Sequence, residues 1–317
     1  MINYLLLKQT IDKLDRTKTI LIAGHKNADY DSICSSLALT YILNKLGKKA
    51  YTLLDKSDVD KIYWLNTKHV INEYISNKPY NFILLDSDRK NRLGIFENLF
   101  DNADLTINID HHDDNKNEAN YSFVDETISS TGEIICNLIH EYSEALLDSE
   151  TAALLYSAIV SDTNSFYKRI TSNTMLIVSN LLKYDIDATY ITKHTCKNIS
   201  LKESNILADM IKNIQYDTFH YIILDRKSPM YTDIPYSTIF KKCASFIYEI
   251  SDIQILGIFL IELDGSVSGL LRSNCNIDVD IIAKKLGGGG HKKASGFENN
   301  MDINSILVDI KNYIKMQ

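Results

Sequence analysis

Short apolar runs, each followed by polar residues, alternate with helical patterns in the first half of the chain. The helical patterns span Ser35–Leu46 and Ile62–Tyr74. The apolar runs are rich in β-branched residues and predict buried strands at Thr19–Ala23, Ala50–Leu54, Asn81–Leu85 and Leu105–Ile109. Strands that alternate with helices predict a parallel sheet covered by helices, a Rossmann-like α/β fold. Ligands of such sheets bind beyond the carboxyl ends of the strands.

The second half of the chain begins with a helical pattern, from about Thr151 to Met210, and then returns to strands. The later strand-like runs and helical patterns lie at Tyr221–Leu224, Gln254–Leu263, Val267–Leu271, Val279–Leu286 and Ile303–Ile314. Because no linker rich in Pro, Gly or Ser separates the halves, we expect a helical connector. We therefore predict an N-terminal domain at 1–190, a connector at 191–214 and a smaller C-terminal α/β domain at 215–317.

The composition is that of a globular protein with a substantial core, since 45% of the 317 residues are apolar and 24% are charged. The five cysteines include no C-x-x-C pair, so we expect reduced thiols. The run Tyr4–Leu7 is too short for a signal peptide, and Ile255–Ile261 is too short for a membrane span. We expect a cytoplasmic protein without a membrane partner.

The net charge of −7 argues against a protein that grips a long duplex by its phosphates. Short nucleic acids remain compatible with this charge, because a few local cations and metal ions suffice to hold one or two phosphates.

Four segments place carboxylates and imidazoles at the ends of apolar runs. They are His25-x-x-x-Asp29-x-Asp31, Asp86-Ser87-Asp88, Asp110-His111-His112 and Ser161-Asp162-Thr163. Taken alone, an aspartate in such a segment caps a helix or stabilises a turn as readily as it binds a metal. Taken together, the segments supply a mixed set that suits cation binding: His25, Asp29, Asp31, Asp86, His111 and Asp162, with His112 nearby.

So many converging carboxylates repel one another unless cations compensate them, and two divalent metal ions would do so. Mixed carboxylate and imidazole ligands suit Mn²⁺ or Fe²⁺ better than Mg²⁺, which prefers oxygen alone. Two adjacent metal ions activate a bridging water for attack on phosphorus. We expect two divalent ions, with Mn²⁺ favoured and Mg²⁺, Fe²⁺ or Co²⁺ as alternatives.

A glycine-rich segment in the second half is a candidate phosphate site. Gly287–Gly290 are consecutive and precede His291-Lys292-Lys293, while Arg272 ends an apolar strand. Glycine lets backbone N–H groups approach an anion, and arginine binds phosphate in a bidentate manner. The alternatives are a flexible turn for the glycines and a solvated surface position for Arg272.

The order of these motifs resembles that of the Asp-His-His (DHH) phosphoesterase superfamily. Arg272-Ser273 followed by the sequence GGGGHKKASG at 287–296 is similar to the DHH-associated substrate domain. The resemblance covers nearly the whole chain and is strongest to the RecJ-like nanoRNases of the NrnA type, which are oligoribonucleases and pAp phosphatases.

The resemblance implies that His25 and Asp29 bind one metal ion, that Asp31, His111 and Asp162 bind the other, and that Asp86 bridges the two. It also implies that His112 faces the substrate phosphate as a donor or as the acid for the departing oxygen. The implied substrate-binding residues are Arg272, Ser273, Gly288, Gly289, Gly290 and His291. The chain departs from the family pattern at Ala28, Asn164 and Ser295.

The expected reaction is hydrolysis of short single-stranded RNA, dinucleotides or 3′-phosphoadenosine 5′-phosphate (pAp) by a metal-bridging hydroxide, in a cleft between the two domains. Rival enzymes are a family II-type inorganic pyrophosphatase, a longer RecJ-like exonuclease and a cyclic dinucleotide phosphodiesterase. A nucleotide-binding regulator without catalysis is the rival from another class. The sequence leaves the ranking of substrates and a homodimer open.

Overall fold

The computed structural model describes residues 1–59, 62–75, 78–112, 115–196 and 199–316. The chain divides into two compact units, Met1–Asn198 and Ile199–Gln317. The predicted domains at 1–190 and 215–317 and the connector at 191–214 stay predictions, because a division into two compact units does not show what either unit does. Within the described residues, no helix is both long enough and apolar enough to cross a lipid bilayer.

The N-terminal unit contains six strands and eight α-helices within the residues described. The strands are β1 (Thr19–Ala23), β2 (Lys49–Leu53), β3 (Val70–Ile71), β4 (Tyr80–Leu85), β5 (Leu105–Asp110) and β6 (Tyr121–Val124). The helices are α1 (Tyr4–Asp12), α2 (Tyr30–Lys45), α3 (Lys56–Val59), α4 (Glu97–Asp101), α5 (Thr131–Tyr142), α6 (Ser149–Asp162), α7 (Ser172–Leu181) and α8 (Ala188–Cys196).

These six strands form one parallel sheet in the order β3-β2-β1-β4-β5-β6. Every residue of β1 and β4 is buried, so both faces of the sheet are covered. Alternate residues of β1 enter different cores: Ile20 and Ile22 pack with the helical core that includes α2, whereas Leu21 and Ala23 pack with Phe96 and Phe100. The predicted parallel α/β fold is confirmed.

The helix predicted at Ile62–Tyr74 is wrong. The Oδ1 of Asn66 accepts a hydrogen bond from the backbone N of Lys68 at 3.0 Å, a local turn that competes with helix. Val70 and Ile71 then pair with β2 as the short edge strand β3. Their β-branched side chains suit this strand better than a helix.

The C-terminal unit contains a second six-stranded sheet, in the order β11-β12-β10-β9-β8-β7. In it β8 and β9 are parallel, and the other neighbouring strands are antiparallel. The strands are β7 (Gln215–Tyr216), β8 (His220–Asp225), β9 (Ile255–Ile261), β10 (Val267–Ser273), β11 (Gly289–His291) and β12 (Ala294–Asn299). The helices are α9 (Leu201–Lys212), α10 (Ala244–Tyr248), α11 (Val279–Lys285) and α12 (Ile303–Met316), with a π-helical turn at Ser237–Cys243.

Candidate metal centre and substrate residues

The carboxyl ends of three neighbouring strands, β1, β4 and β5, place the polar segments at one edge of the parallel sheet. His25 follows β1, Asp86 follows β4, and His111 follows β5. Asp29 caps α2, and Asp31 lies in the first turn of that helix. Asp162 is the last residue of α6.

Six predicted side chains form two groups that meet at Asp86. The Nε2 of His25 lies 3.7 Å from Asp29 Oδ2 and 3.7 Å from Asp86 Oδ2. The Nε2 of His111 lies 3.8 Å from Asp31 Oδ2 and 3.7 Å from Asp162 Oδ2. It also lies 3.4 Å from the other carboxylate oxygen of Asp86, Oδ1. The two oxygens of Asp86 therefore face different groups.

These separations match those of donor atoms around a shared cation. Ligands about 2.1 Å from one metal ion lie about 3 Å apart at a right angle and about 3.6 Å apart at 120°. The donor atoms in each of the sets His25–Asp29–Asp86 and Asp31–His111–Asp162 all lie within 4.8 Å of one another. Each group therefore has the size and the donor types of a site for a divalent metal ion.

The ring orientations of both histidines favour the same interpretation. The Nδ1 of His25 is 2.9 Å from the carbonyl oxygen of Lys26, and the Nδ1 of His111 is 3.4 Å from that of Ile128. A proton on Nδ1 leaves Nε2 with its lone pair directed at the carboxylate groups. This tautomer is the one that metal-binding histidines adopt when a carbonyl accepts from the other nitrogen.

The carboxylates need compensating charge. Burial raises the pKa of Asp31 well above its ordinary value, and the charges of Asp86, Asp162 and Asp29 raise it further. Burial, and next the charge of Asp29, likewise raise the pKa of Asp86. Burial also raises the pKa of Asp162. Cations that replace the protons would let all these carboxylates ionise together, so the set fits divalent metal ions.

The backbone is strained at this edge of the sheet. Asp86 has a φ of 53° and Asn27 has a φ of 55°, both in the left-handed region. Asparagine and aspartate tolerate this region better than other residues with side chains. Such conformations cluster at functional sites, where the surroundings impose them.

The sequence did not reveal that the N-terminus of α5 holds Asp31. The backbone N of Thr131 donates to Asp31 Oδ2 at 2.7 Å, and the backbone N of Gly132 donates to Oδ1 at 2.9 Å. The hydroxyl of Thr131 donates to Asp86 Oδ1 at 3.2 Å. A signal for this helix start was present, because Ser130 caps α5 and Glu133 follows three residues later.

Asp110 orients His112, the residue predicted to face the substrate phosphate. The Nδ1 of His112 donates to Asp110 Oδ1 at 2.7 Å. Burial lowers the pKa of His112, but the hydrogen bond to Asp110 and the charge of that carboxylate outweigh it, so the pKa is raised. Burial opposes ionisation of Asp110, yet His112 and Asn115 keep the pKa of that carboxyl below its ordinary value. The pair favours a protonated imidazole next to the two metal groups.

The predicted substrate-binding residues of the C-terminal unit lie on adjoining strands. Ala294 on β12 pairs with Arg272 of β10 on one side and with His291 of β11 on the other. Burial lowers the pKa of the half-buried Arg272, which forms no ion pair with a carboxylate in the described part of the chain. The buried hydroxyl of Ser273 donates to the carbonyl oxygen of Cys275 at 3.2 Å.

Packing and backbone conformation account for much of the glycine run. A Cβ atom on Gly288 would lie 2.1 Å from the carbonyl oxygen of Gly296, and Gly287 has a φ of 88°. Gly290 has a φ of 156° and donates its N–H to Asp280 at 2.8 Å. Gly289 has room for a Cβ atom, with nothing nearer than 3.7 Å. A phosphate-binding role for the run stays a prediction.

The three departures from the family pattern are accommodated. Asn164 has a φ of 49°, a conformation that asparagine tolerates in place of glycine. The hydroxyl of Ser295 donates to the carbonyl oxygen of Val279 at 2.7 Å, and Ala28 is buried.

Comparisons with known proteins find relatives of the N-terminal unit and of nearly the whole chain. Residues 19–159 match the family model described as DHH family, N-terminal domain. A probable bifunctional oligoribonuclease and PAP phosphatase NrnA of Streptococcus mutans is 28% identical over 317 residues, which cover 97% of this chain and 99% of that protein.

Two solved structures share the fold. An exopolyphosphatase-related protein from Bacteroides fragilis superposes with a TM-score of 0.85 at 19% identity, over 99% of this chain and 95% of that one. Exonuclease RecJ bound to manganese superposes with a TM-score of 0.54 at 15% identity, over 99% and 94% of the respective chains. The chain is therefore similar to the DHH family over residues 19–159, most of its N-terminal unit, and it shares its fold with these two structures.

Proposed function

We propose that this chain is a phosphoesterase that hydrolyses short oligoribonucleotides, dinucleotides and pAp with the help of two divalent metal ions. The observation that carries the proposal is the position of Asp86, whose two oxygens face two separate groups of candidate ligands. The Streptococcus mutans relative, which is named for both activities and aligns over nearly its whole length, supports this substrate class.

In this proposal His25 and Asp29 hold one metal ion, while Asp31, His111 and Asp162 hold the other. Asp86 is a ligand of both. The mixture of imidazole and carboxylate donors favours Mn²⁺, with Fe²⁺, Co²⁺ and Mg²⁺ as alternatives. Two divalent ions in such a site neutralise the charge on a phosphate and activate the water that attacks phosphorus.

His112 supplies a proton in this proposal. Its Nδ1 is committed to Asp110, so Nε2 is the nitrogen that meets the substrate. A protonated imidazole there donates to a phosphate oxygen and protonates the departing oxygen. Against the effect of burial, the hydrogen bond to Asp110 and the charge of that carboxylate raise the pKa of His112, and the raised pKa favours the protonated form.

The C-terminal residues predicted to bind substrate keep that role in this proposal. Arg272 supplies a cationic donor to phosphate and His291 an imidazole donor, and Ser273, the next residue on β10, is the third predicted substrate-binding side chain. The N–H of Gly288 already donates to the carbonyl oxygen of Ala283 at 2.8 Å, and that of Gly290 donates to Asp280 at 2.8 Å. Gly289, which pairs with Gly296 in the sheet, remains the candidate of the three.

The test offers the purified protein, loaded with Mn²⁺, four substrates in parallel: pAp, a dinucleotide, a five-nucleotide RNA and pyrophosphate. We expect release of phosphate from pAp and of mononucleotides from both RNAs, with all three activities lost in Asp86→Asn. Hydrolysis of pyrophosphate alone would overturn the proposal in favour of a pyrophosphatase. Binding of these nucleotides without turnover, equal in Asp86→Asn, would instead indicate a regulator.

A further inference from the structure

Glu133 is a buried carboxylate that belongs to neither group of candidate metal ligands. It lies in the first turn of α5 with 1% of its surface exposed. Its Oε2 accepts from the backbone N of Ser129 at 3.3 Å, from the hydroxyl of Ser129 at 2.6 Å and from the hydroxyl of Thr174 at 2.9 Å. Its Oε1 accepts from the Nδ2 of Asn173 at 2.9 Å. Four neutral donors thus fix this side chain.

The segment that Glu133 anchors contacts three candidate ligands. The carbonyl of Ile128 faces the Nδ1 of His111, and the hydroxyl of Thr131 donates to Asp86. The backbone N–H groups of Thr131 and Gly132 hold both oxygens of Asp31. Ser129, which bonds Glu133 twice, lies between Ile128 and Thr131. The position of this one segment therefore sets the orientation of His111, Asp31 and Asp86.

Glu133 also joins this segment to the part of the chain that follows Asp162. Asn173 and Thr174 belong to the first turn of α7, which is connected to Asp162 by residues 163–171. That connection begins with a tight turn, since Asn164, Ser165 and Phe166 all have positive φ. Glu133 thus links the segment that contacts Asp31 and His111 to the start of α7, which follows Asp162 along the chain.

We propose that Glu133 is a positioning residue for the metal ion held by Asp31, His111 and Asp162, a role that rests on the proposed metal centre. Groups that hydrogen-bond metal ligands directly fix the direction of those ligands, and their loss costs about 10- to 100-fold in metal affinity or activity. Glu133 acts through three residues that supply such groups, Ile128, Thr131 and Gly132, because it fixes the segment that carries them. A carboxylate suits the role because it accepts from all four donors at once, whereas an amide offers one acceptor oxygen.

The test is a titration of the metal-free, full-length protein with Mn²⁺, in which free Mn²⁺ is followed by electron paramagnetic resonance. In Glu133→Ala we expect the affinity for one of the two ions to fall about 10- to 100-fold and the affinity for the other to change little. In Glu133→Gln most of the affinity returns, because Asn173 is able to turn its amide and present Oδ1 to the new NH₂ group.

Leu138→Ala is the matched control on α5. Leu138 is an apolar core residue with 1% of its surface exposed, and its truncation destabilises the fold without removing a polar contact. We expect a lower unfolding temperature and unchanged affinity for both ions. If Glu133→Ala does not fold, Asn173→Ala removes one donor from an exposed position, and a loss of affinity confined to one ion is again expected.

Equal Mn²⁺ affinities in the wild type and in the folded Glu133 or Asn173 variant would overturn the inference. So would a loss of affinity in Leu138→Ala that matches the loss in Glu133→Ala, because both losses would then follow from stability alone. A wild-type protein that binds no Mn²⁺ would overturn the proposed function itself, which keeps the two failures distinct.

Discussion

The backbone N–H of Gly132 donates to Oδ1 of Asp31 at 2.9 Å, although 101 residues separate the two along the chain. The contact brings the positive end of α5 to a buried carboxylate of the candidate metal centre. It requires a close approach of α5 to α6, because a Cβ atom on Gly132 would lie 2.5 Å from the Cβ of Ala158.

Gly132→Ala should therefore displace the start of α5 from Asp31. We expect a loss of stability of about 1–3 kcal/mol from overpacking and a loss of activity of about tenfold or more from the disturbed ligand. The measurements are thermal unfolding and kcat/KM with pAp. The double variant Gly132→Ala/Ala158→Gly relieves the contact, so it should recover much of both losses. Additive losses in the double variant would contradict this explanation.

The two groups of ligands predict separable effects of single substitutions. Asp29→Asn keeps an acceptor for the N-cap hydrogen bond from Ser32 but removes the charge next to His25. We expect the affinity for one of the two Mn²⁺ ions to fall more than about tenfold, because loss of a ligand should cost more than the tenfold that loss of a ligand's hydrogen-bond partner costs. Asp162→Asn should lower the affinity for the other Mn²⁺ ion. Calorimetric titration checks this, and a loss of both ions in either variant would contradict the division.

Much of this site was predictable because the strands that carry it are buried on both faces. Residues such as those of Thr19–Ala23 then form uninterrupted apolar runs, and the polar residue after each run marks the ligand-binding edge of a parallel sheet. This rule predicts His25, Asp86 and His111 at one edge of the sheet, where they lie after β1, β4 and β5. Asp162 was a candidate because it ends an apolar helix, where the helix dipole disfavours a carboxylate unless a cation compensates it.

The support of the ligands was not predictable in the same way. The contact of Gly132 with Asp31 depends on how closely α5 packs against α2 and α6, and no local pattern encodes that distance. The error at Ile62–Tyr74 has a related cause. Apolar residues there fit a helical period, but pairing with β2 decided the conformation of Val70 and Ile71.

Asp110→Asn should change the pH dependence of the reaction. The hydrogen bond and charge of Asp110 raise the pKa of His112. Asparagine keeps an acceptor oxygen but removes the charge, so the pKa of His112 should fall. If protonated His112 donates to the departing oxygen, the rate falls as pH rises through this pKa. The alkaline limb of kcat/KM should then move to lower pH in the variant. A p-nitrophenyl ester, whose leaving group needs no proton, should show a smaller shift, and an unmoved limb with pAp would contradict the role.

Arg272→Ala should weaken substrate binding while leaving the metal centre intact. A hydrogen bond to a charged group contributes about 1.5–3 kcal/mol, so KM for pAp should rise about 10- to 100-fold. Arg272→Lys should recover only part of this, because lysine lacks the bidentate geometry. Mn²⁺ affinity should be unchanged in both variants. An unchanged KM would favour the alternative in which Arg272 is a solvated surface residue.

The stability of the metal-free protein should rise as the pH falls toward the raised folded-state pKa values of Asp31 and Asp86. Burial and neighbouring carboxylates raise the folded-state pKa of Asp31 and of Asp86. An aspartate with a raised folded-state pKa lowers stability wherever it is ionised, and this loss is relieved as the pH falls through that pKa. Thermal unfolding in the presence of a chelator measures the effect.

Two controls separate this effect from the rest of the protein. In Asp86→Asn one of the repelling charges is gone, so the rise in unfolding temperature between pH 8 and pH 5 should be smaller. With saturating Mn²⁺ the trend should reverse, because protons then compete with the metal ions for the same carboxylates. The unfolding temperature of the metal-free protein could instead fall from pH 8 to pH 5 as steeply as that of the Mn²⁺ form. That result would mean that the four segments do not form a crowded anionic site.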